Sequence, residues 1–218
     1  MKAVVAFLVS LCVLSGASHA LDRCLVLGVL SHSEHQKISE LVSQALTRGS
    51  ICNHLRYAPN NRLTSFLKSQ RLDGEVLRVT DYREQVQDVA FMVKQPILTV
   101  RGLLLSYDQG VESLQDLKGQ TIGFVRGTHW AKRLTGKTHQ IVEVSQLEQL
   151  PEMLMKERIA GFLINEVSWK KVSADYPAFY EVNVRDLSAH IYLLNKHKDL
   201  EESINRIIKN LDLVLYNQ

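Results

Sequence analysis

The chain has 218 residues, with 26 Lys and Arg against 23 Asp and Glu and a formal net charge of +3. A balance this even argues against nucleic acid or an anionic membrane surface as the main partner. The length allows one large domain or two small lobes with cores of their own, and no linker, repeat or low-complexity stretch interrupts it.

The first twenty residues, "MKAVVAFLVSLCVLSGASHA", combine an early Lys2, an apolar run from Ala3 to Leu14 and a small-residue ending at Ser18-His19-Ala20. This is the pattern of a cleavable export signal over residues 1–20. The run is too short for a retained membrane helix, which needs about 20 apolar residues. Cys12 lies inside the run rather than at its end, so no lipid-anchoring cysteine is expected. The mature chain, from Leu21, is therefore expected in the periplasm as a monomer, with no membrane-inserted segment; loss of Lys2 leaves 25 basic residues against 23 acidic. It keeps two cysteines, Cys24 and Cys52, each at the start of an expected strand. In an oxidising compartment such a pair reads as a disulfide between neighbouring parallel strands, the alternative being two unrelated buried thiols.

The elements then alternate. "CLVLGVL" is a strand buried on both faces. Ser33 and Gln36 form a capping box for a helix whose stripe is Ile38, Leu41, Val42, Ala45 and Leu46, with Gly49 as its stop. "ICNHLRYA" is the second strand, Asn61 caps a short helix carrying Leu63, Phe66 and Leu67, and "GEVLRV" is the third strand. This βαβαβ unit predicts a parallel sheet. After the β-rich crossing "ILTVRGLLLSY" a second unit begins with "SLQDLKGQTIGFVRGTHWAKRL". It continues through the strand "HQIVEV", a helix near Pro151 and the strand "AGFLI". A second crossing, "FYEVNVRDLSAHIYLLN", precedes an amphipathic helix with Leu200, Ile204, Ile207, Ile208 and Leu211. The expected fold is α/β, with lobe 1 from residues 21–100 and 186–218, lobe 2 from 101–185, two hinge crossings, and a ligand cleft between the lobes.

Three segments carry a family resemblance: "SLQDLKGQTIGFVRGTHW", the Asp-Gly turn in "LDGEVLRV", and "HIYLLNKHKDLEESINRIIKNL". In this order, behind an export signal, they resemble bacterial extracellular solute-binding proteins of family 3. The resemblance spans nearly the whole mature chain. It implies a type II periplasmic-binding-protein fold that closes over a small solute, in many members an amino acid, and delivers it to a membrane transporter.

The resemblance also implies where ligand contacts fall. An Arg just past the Asp73-Gly74 turn is expected to clamp a ligand carboxylate, because a guanidinium matches a carboxylate bidentately and stays charged. Arg78 and Arg83 both lie in that neighbourhood; Arg78, at a strand's carboxyl end, is the preferred clamp. Arg62 opposes the helix dipole in a first helical turn, which hints at a ligand role, a solvated surface Arg being the plain alternative. From the second lobe, Arg126, Gly127 and Thr128 read as an anion cradle of free amides, or else as a simple strand-to-helix turn. Trp130 beside them walls the cleft or fills the core. Where amino-acid binders carry an Asp for the ligand ammonium, this chain has Asn165, with Glu166 next as a substitute or a helix-dipole partner. The expected ligand is accordingly a small polar, carboxylate-bearing solute rather than a committed amino acid.

His32, Glu34 and His35 offer weak metal-ligand spacing, and neither a metal nor a cofactor is expected. The sequence leaves three functional classes: a solute receptor for an ABC-type permease, a periplasmic sensing module for a membrane sensor, and, less favoured, a dehydratase-like enzyme on the same scaffold. Catalysis would fall to Glu75, Glu166 or a His, and none forms a dyad by spacing.

Overall fold

The computed structural model describes residues 24–31 and 33–211; the expected export signal, His32 and the side chains of Ser33, Glu34 and His35 lie outside that description. In chain order the elements are β1 (Leu25–Leu30), α1 (Ser33–Arg48), β2 (Asn53–Ala58), α2 (Asn60–Lys68), β3 (Gly74–Val79), α3 (Arg83–Val86), β4 (Ala90–Met92) and β5 (Leu98–Ser106). They continue as β6 (Thr121–Val125), α4 (His129–Thr135), β7 (Gln140–Val144), α5 (Gln149–Met155), β8 (Gly161–Asn165), α6 (Glu166–Val172), β9 (Tyr180–Leu194) and α7 (Glu201–Lys209).

Among the described residues these strands form one sheet in the order β2-β1-β3-β9-β5-β8-β6-β7, with β4 also on β9. Its two ends are parallel triplets: β1 pairs with β2 and β3, and β6 pairs with β7 and β8. The triplets are joined through the antiparallel pair β5 and β9, the two crossings expected from their β-rich sequence. β9 is long because successive segments serve the two halves: Leu187 packs into the second, and Ala189, Ile191 and Leu193 into the first. The inner parallel strands β1, β3, β6 and β8 are largely buried on both faces under the helices, while the edge strands β2 and β7 are mostly exposed or half-buried.

Each half has its own apolar layers. In the first, α1 and α7 press Ile38, Val42, Leu46, Ile204 and Ile208 onto Leu25, Leu27 and Val29, while Leu63 and Leu67 of α2 meet Tyr82, Val86 and Tyr192 on the other face. In the second, Trp169, Phe162 and Phe179 form an aromatic cluster under α5 and α6, and Trp130 with Ala131 of α4 covers the opposite face. No side chain caps α2 in the way expected of Asn61: the cap position is Pro59, two residues earlier, and its carbonyl accepts the Arg62 and Leu63 amides. Cys24 and Cys52, one residue ahead of β1 and β2, are joined by a disulfide with their Cα atoms 4.6 Å apart. No helix among the described residues is long and apolar enough to cross a membrane.

Candidate functional site

The preferred clamp, Arg78, lies on β3, where the strand breaks its alternation. Glu75 pairs with Tyr192 and Arg78 with His190, so three steps on β3 match two on β9. This is a β-bulge, with Leu77 at φ +61, a left-handed conformation that costs a non-glycine residue. In a regular strand, residues three apart face opposite ways. The bulge turns Arg78 onto the face of Glu75, and its Nε donates to Glu75 Oε2 at 2.5 Å.

Both groups are withdrawn from water, Glu75 with 0% and Arg78 with 6% of its surface exposed. The Tyr82 hydroxyl donates to Glu75 Oε1 at 2.5 Å, Thr64 Oγ1 accepts from Arg78 Nη2 at 3.4 Å, and the Arg78 guanidinium sits 4.2 Å above the Tyr82 ring. Burial pushes the Glu75 carboxyl above its ordinary range against the opposing pull of Arg78, and burial likewise raises the Tyr82 phenol. The fork expected to hold a ligand is thus neutralised inside the first half. Arg62 and Arg83 are exposed, and among the described residues neither has an ion pair.

The expected amide cradle of the second half is closed. Gly127, at φ +87, turns the chain so tightly that the Thr128 amide donates to the Val125 carbonyl at 3.1 Å and the His129 amide to the Gly127 carbonyl at 3.0 Å. Those two donors are not free for an anion. Arg126 points to solvent and lies 3.9 Å from Glu143. Partial burial, then the positive charges of Arg78 and Lys132, lower the His129 pKa.

Asn165 caps α6. Its Oδ1 accepts the Ser168 amide at 2.9 Å and its Nδ2 donates to Ser168 Oγ at 3.0 Å. Glu166 turns to the β5 crossing, where Arg101 donates to it twice, from its backbone amide at 3.0 Å and from Nε at 2.8 Å. Burial tends to raise the Glu166 carboxyl, but these Arg101 contacts outweigh it and hold the pKa low.

Two concavities stand out. The larger, about 730 Å³, is an open depression at the foot of the second half, lined by Tyr107, Gln120, Met155 and Arg158 among others. The smaller, about 80 Å³, lies where the halves meet: Ile38, Leu77 and Val79 come from the first half, Trp130, Asn165 and Val167 from the second, and Leu98, Val100, Leu187 and Ala189 from the crossings. Volume favours the first; position between the two halves favours the second. Gly102 shapes its wall, since a Cβ there would lie 3.2 Å from the Trp130 ring and 3.1 Å from the Arg185 carbonyl.

An ionic clasp crosses the same junction. Asp81, after β3, receives Arg185 of β9 bidentately at 3.0 and 3.3 Å, and Arg133 of α4 lies 3.7 Å away. Arg133 also pairs with Glu84 of α3. Asn60 Nδ2 donates to the Gly127 carbonyl at 3.5 Å, while its buried Oδ1 has no hydrogen-bond partner among the described residues. Sequence reasoning missed Asp81, Arg133 and Arg185, because their only signal is proximity between residues up to 104 positions apart. The one grouping of metal-ligating residue types among the described residues, Cys24, Cys52 and His54, includes the disulfide pair.

Two parallel triplets joined by two antiparallel crossings match known structures. The glutamate-bound ligand-binding core of GluR0 from Nostoc punctiforme superposes with a TM-score of 0.68 at 19% identity, over 86% of this chain and 92% of that one. The chain has the type II periplasmic-binding-protein fold. The arginine-bound AbpA of an amino-acid ABC transporter from Streptococcus pneumoniae gives a TM-score of 0.62 at 16% identity, over 86% and 88%. The VFT2 domain of Bordetella pertussis BvgS gives 0.65 at 12% identity, over 87% and 88%. No protein-family model and no curated protein matches the sequence, so the likeness to family 3 binding proteins is carried by the fold.

Proposed function

We propose that this chain is an exported solute receptor, with lobes of residues 21–100 plus 186–218 and 101–185, that captures a small carboxylate-bearing solute between them in the periplasm. The observation that supports it is the pocket whose walls come from both halves and both crossings. Hinge motion in β5 and β9 would open and close it. Arg83 is the cation this reading assigns to the carboxylate: it follows pocket-lining Val79 by four positions in the chain and is exposed without an ion pair among the described residues. Binding is favoured over catalysis, since Glu75 and Glu166 are each engaged by an arginine rather than poised toward the pocket.

The partner in this reading is an ABC-type permease, as with the transporter protein AbpA. A membrane sensor is the second reading, favoured by the likeness to proteins described as a ligand-binding core and a VFT2 domain, which are modules rather than whole transport receptors. The test is a thermal-shift screen of organic acids, amino acids, polyamines and sugars. Ligand at a hundred times its dissociation constant should add about 2.7 kcal/mol of stability, and Arg83→Ala should weaken an acid hit about tenfold or more without lowering the unliganded midpoint. A full screen with no stabilising solute refutes the receptor reading.

A further inference from the structure

Resting on the interlobe pocket as the ligand site, we propose that its ligand is a small monocarboxylic or 2-oxo acid with an apolar body and no ammonium group. The lining carries this. Nine of its ten residues are apolar, and the tenth, Asn165, is an uncharged amide. Any charged group entering such a pocket loses its hydration and needs a counter-charge in return; the receptor reading assigns Arg83 to a carboxylate, whereas an ammonium needs an anion.

None is at hand. Both oxygens of Glu166, the neighbour of Asn165, are taken by Arg101. Glu75 is held by Arg78 and Tyr82, and Asp81 by Arg185 and Arg133. The unpartnered Oδ1 of Asn60 lies outside the lining and brings no charge.

Asn165 supplies the complementary argument. Its Oδ1 is committed to the Ser168 amide, which fixes the orientation of the side chain, and one hydrogen of Nδ2 goes to Ser168 Oγ. The other hydrogen is the donor left for a ligand. An N–H meets a carboxylate or keto oxygen and repels an ammonium.

Matched pairs test the inference: 3-methylbutanoate and 3-methyl-2-oxobutanoate against L-valine, and 4-methylpentanoate against L-leucine, titrated calorimetrically into the purified protein. The acids should bind, and each amino acid should bind on the order of a hundredfold more weakly than its deaminated counterpart. Asn165→Asp keeps the cap, because Asp and Asn cap equally well, but puts a negative charge in the pocket; it should weaken the acids and strengthen the amino acids. Amino acids binding as tightly as the acids, an unchanged preference in Asn165→Asp, or a wider-screen hit that carries an ammonium or lacks a carboxylate would each overturn the ligand class and leave the receptor reading intact. No binding by any solute in the screen would instead remove the receptor reading on which it rests.

Discussion

Asp81→Asn should release the closed cleft. The substitution keeps the shape of the side chain and removes the charge that Arg185 and Arg133 share. At the 3.0 Å separation from Arg185, the Coulomb energy is about 5.5 kcal/mol at an effective dielectric of about 20 and about 1.4 kcal/mol in water. Asp81 is largely buried, but Arg185 is 30% and Arg133 46% exposed, so the net contribution lies nearer the lower bound, at about 2 kcal/mol. That corresponds to roughly a thirtyfold shift from closed toward open. Small-angle scattering of the unliganded variant should therefore show a larger radius of gyration. Raising salt to about 1 M, where the Debye length is about 3 Å, should move the wild type the same way. A radius that is the same in wild type and Asp81→Asn, and insensitive to salt in both, would show that the clasp does not hold the halves together.

Glu75→Ala leaves the Arg78 guanidinium buried without its partner and should destabilise the fold by about 3 to 5 kcal/mol in chemical denaturation; Arg78→Ala should cost a similar amount, and a loss under about 1 kcal/mol for both would place the pair in solvent. Asp73 is tied to Lys196, His197 and the Val26 amide, which outweigh the opposing effect of burial and hold its pKa at about 2. Because the folded value lies below the unfolded one, the stabilisation is complete above about pH 4 and is lost as pH falls toward 2, by at most about 2 kcal/mol. Asp73→Asn should flatten that part of the acid-stability curve, and an unchanged curve would contradict the assignment. Denatured, unreduced processed protein should show no reactive thiol, and reduction should lower stability by about 3 to 4 kcal/mol on the chain-entropy model; two titratable thiols before reduction would refute the bridge.

Local pattern made much of the first-half fold legible. The apolar run of β1, the Ile38, Val42, Ala45 and Leu46 stripe of α1 and the Asp73-Gly74 turn are read from neighbours in sequence, and the structure has each of them. The two β-rich crossings likewise became β5 and β9. The candidate site was less legible. Arg78 reads from sequence as a strand residue aimed at a cleft, but the bulge at Leu77 rotates it onto the face of Glu75. The Gly127-Thr128 turn reads as free amides, yet a tight backbone turn uses those of Thr128 and His129.

Composition, periodicity and turn chemistry by themselves determined that this is an α/β chain of two βαβ-type halves with two returning strands, because those signals act over a few residues and each strand or helix must satisfy its own backbone. Only the tertiary structure decided which charges are free. Glu75 meets Arg78, Glu166 meets Arg101 and Asp81 meets Arg185 through a bulge, a crossing and a junction between halves. Whether a charge awaits a ligand or already has a partner depends on a separation of a few ångströms in space, and distance along the chain does not encode it.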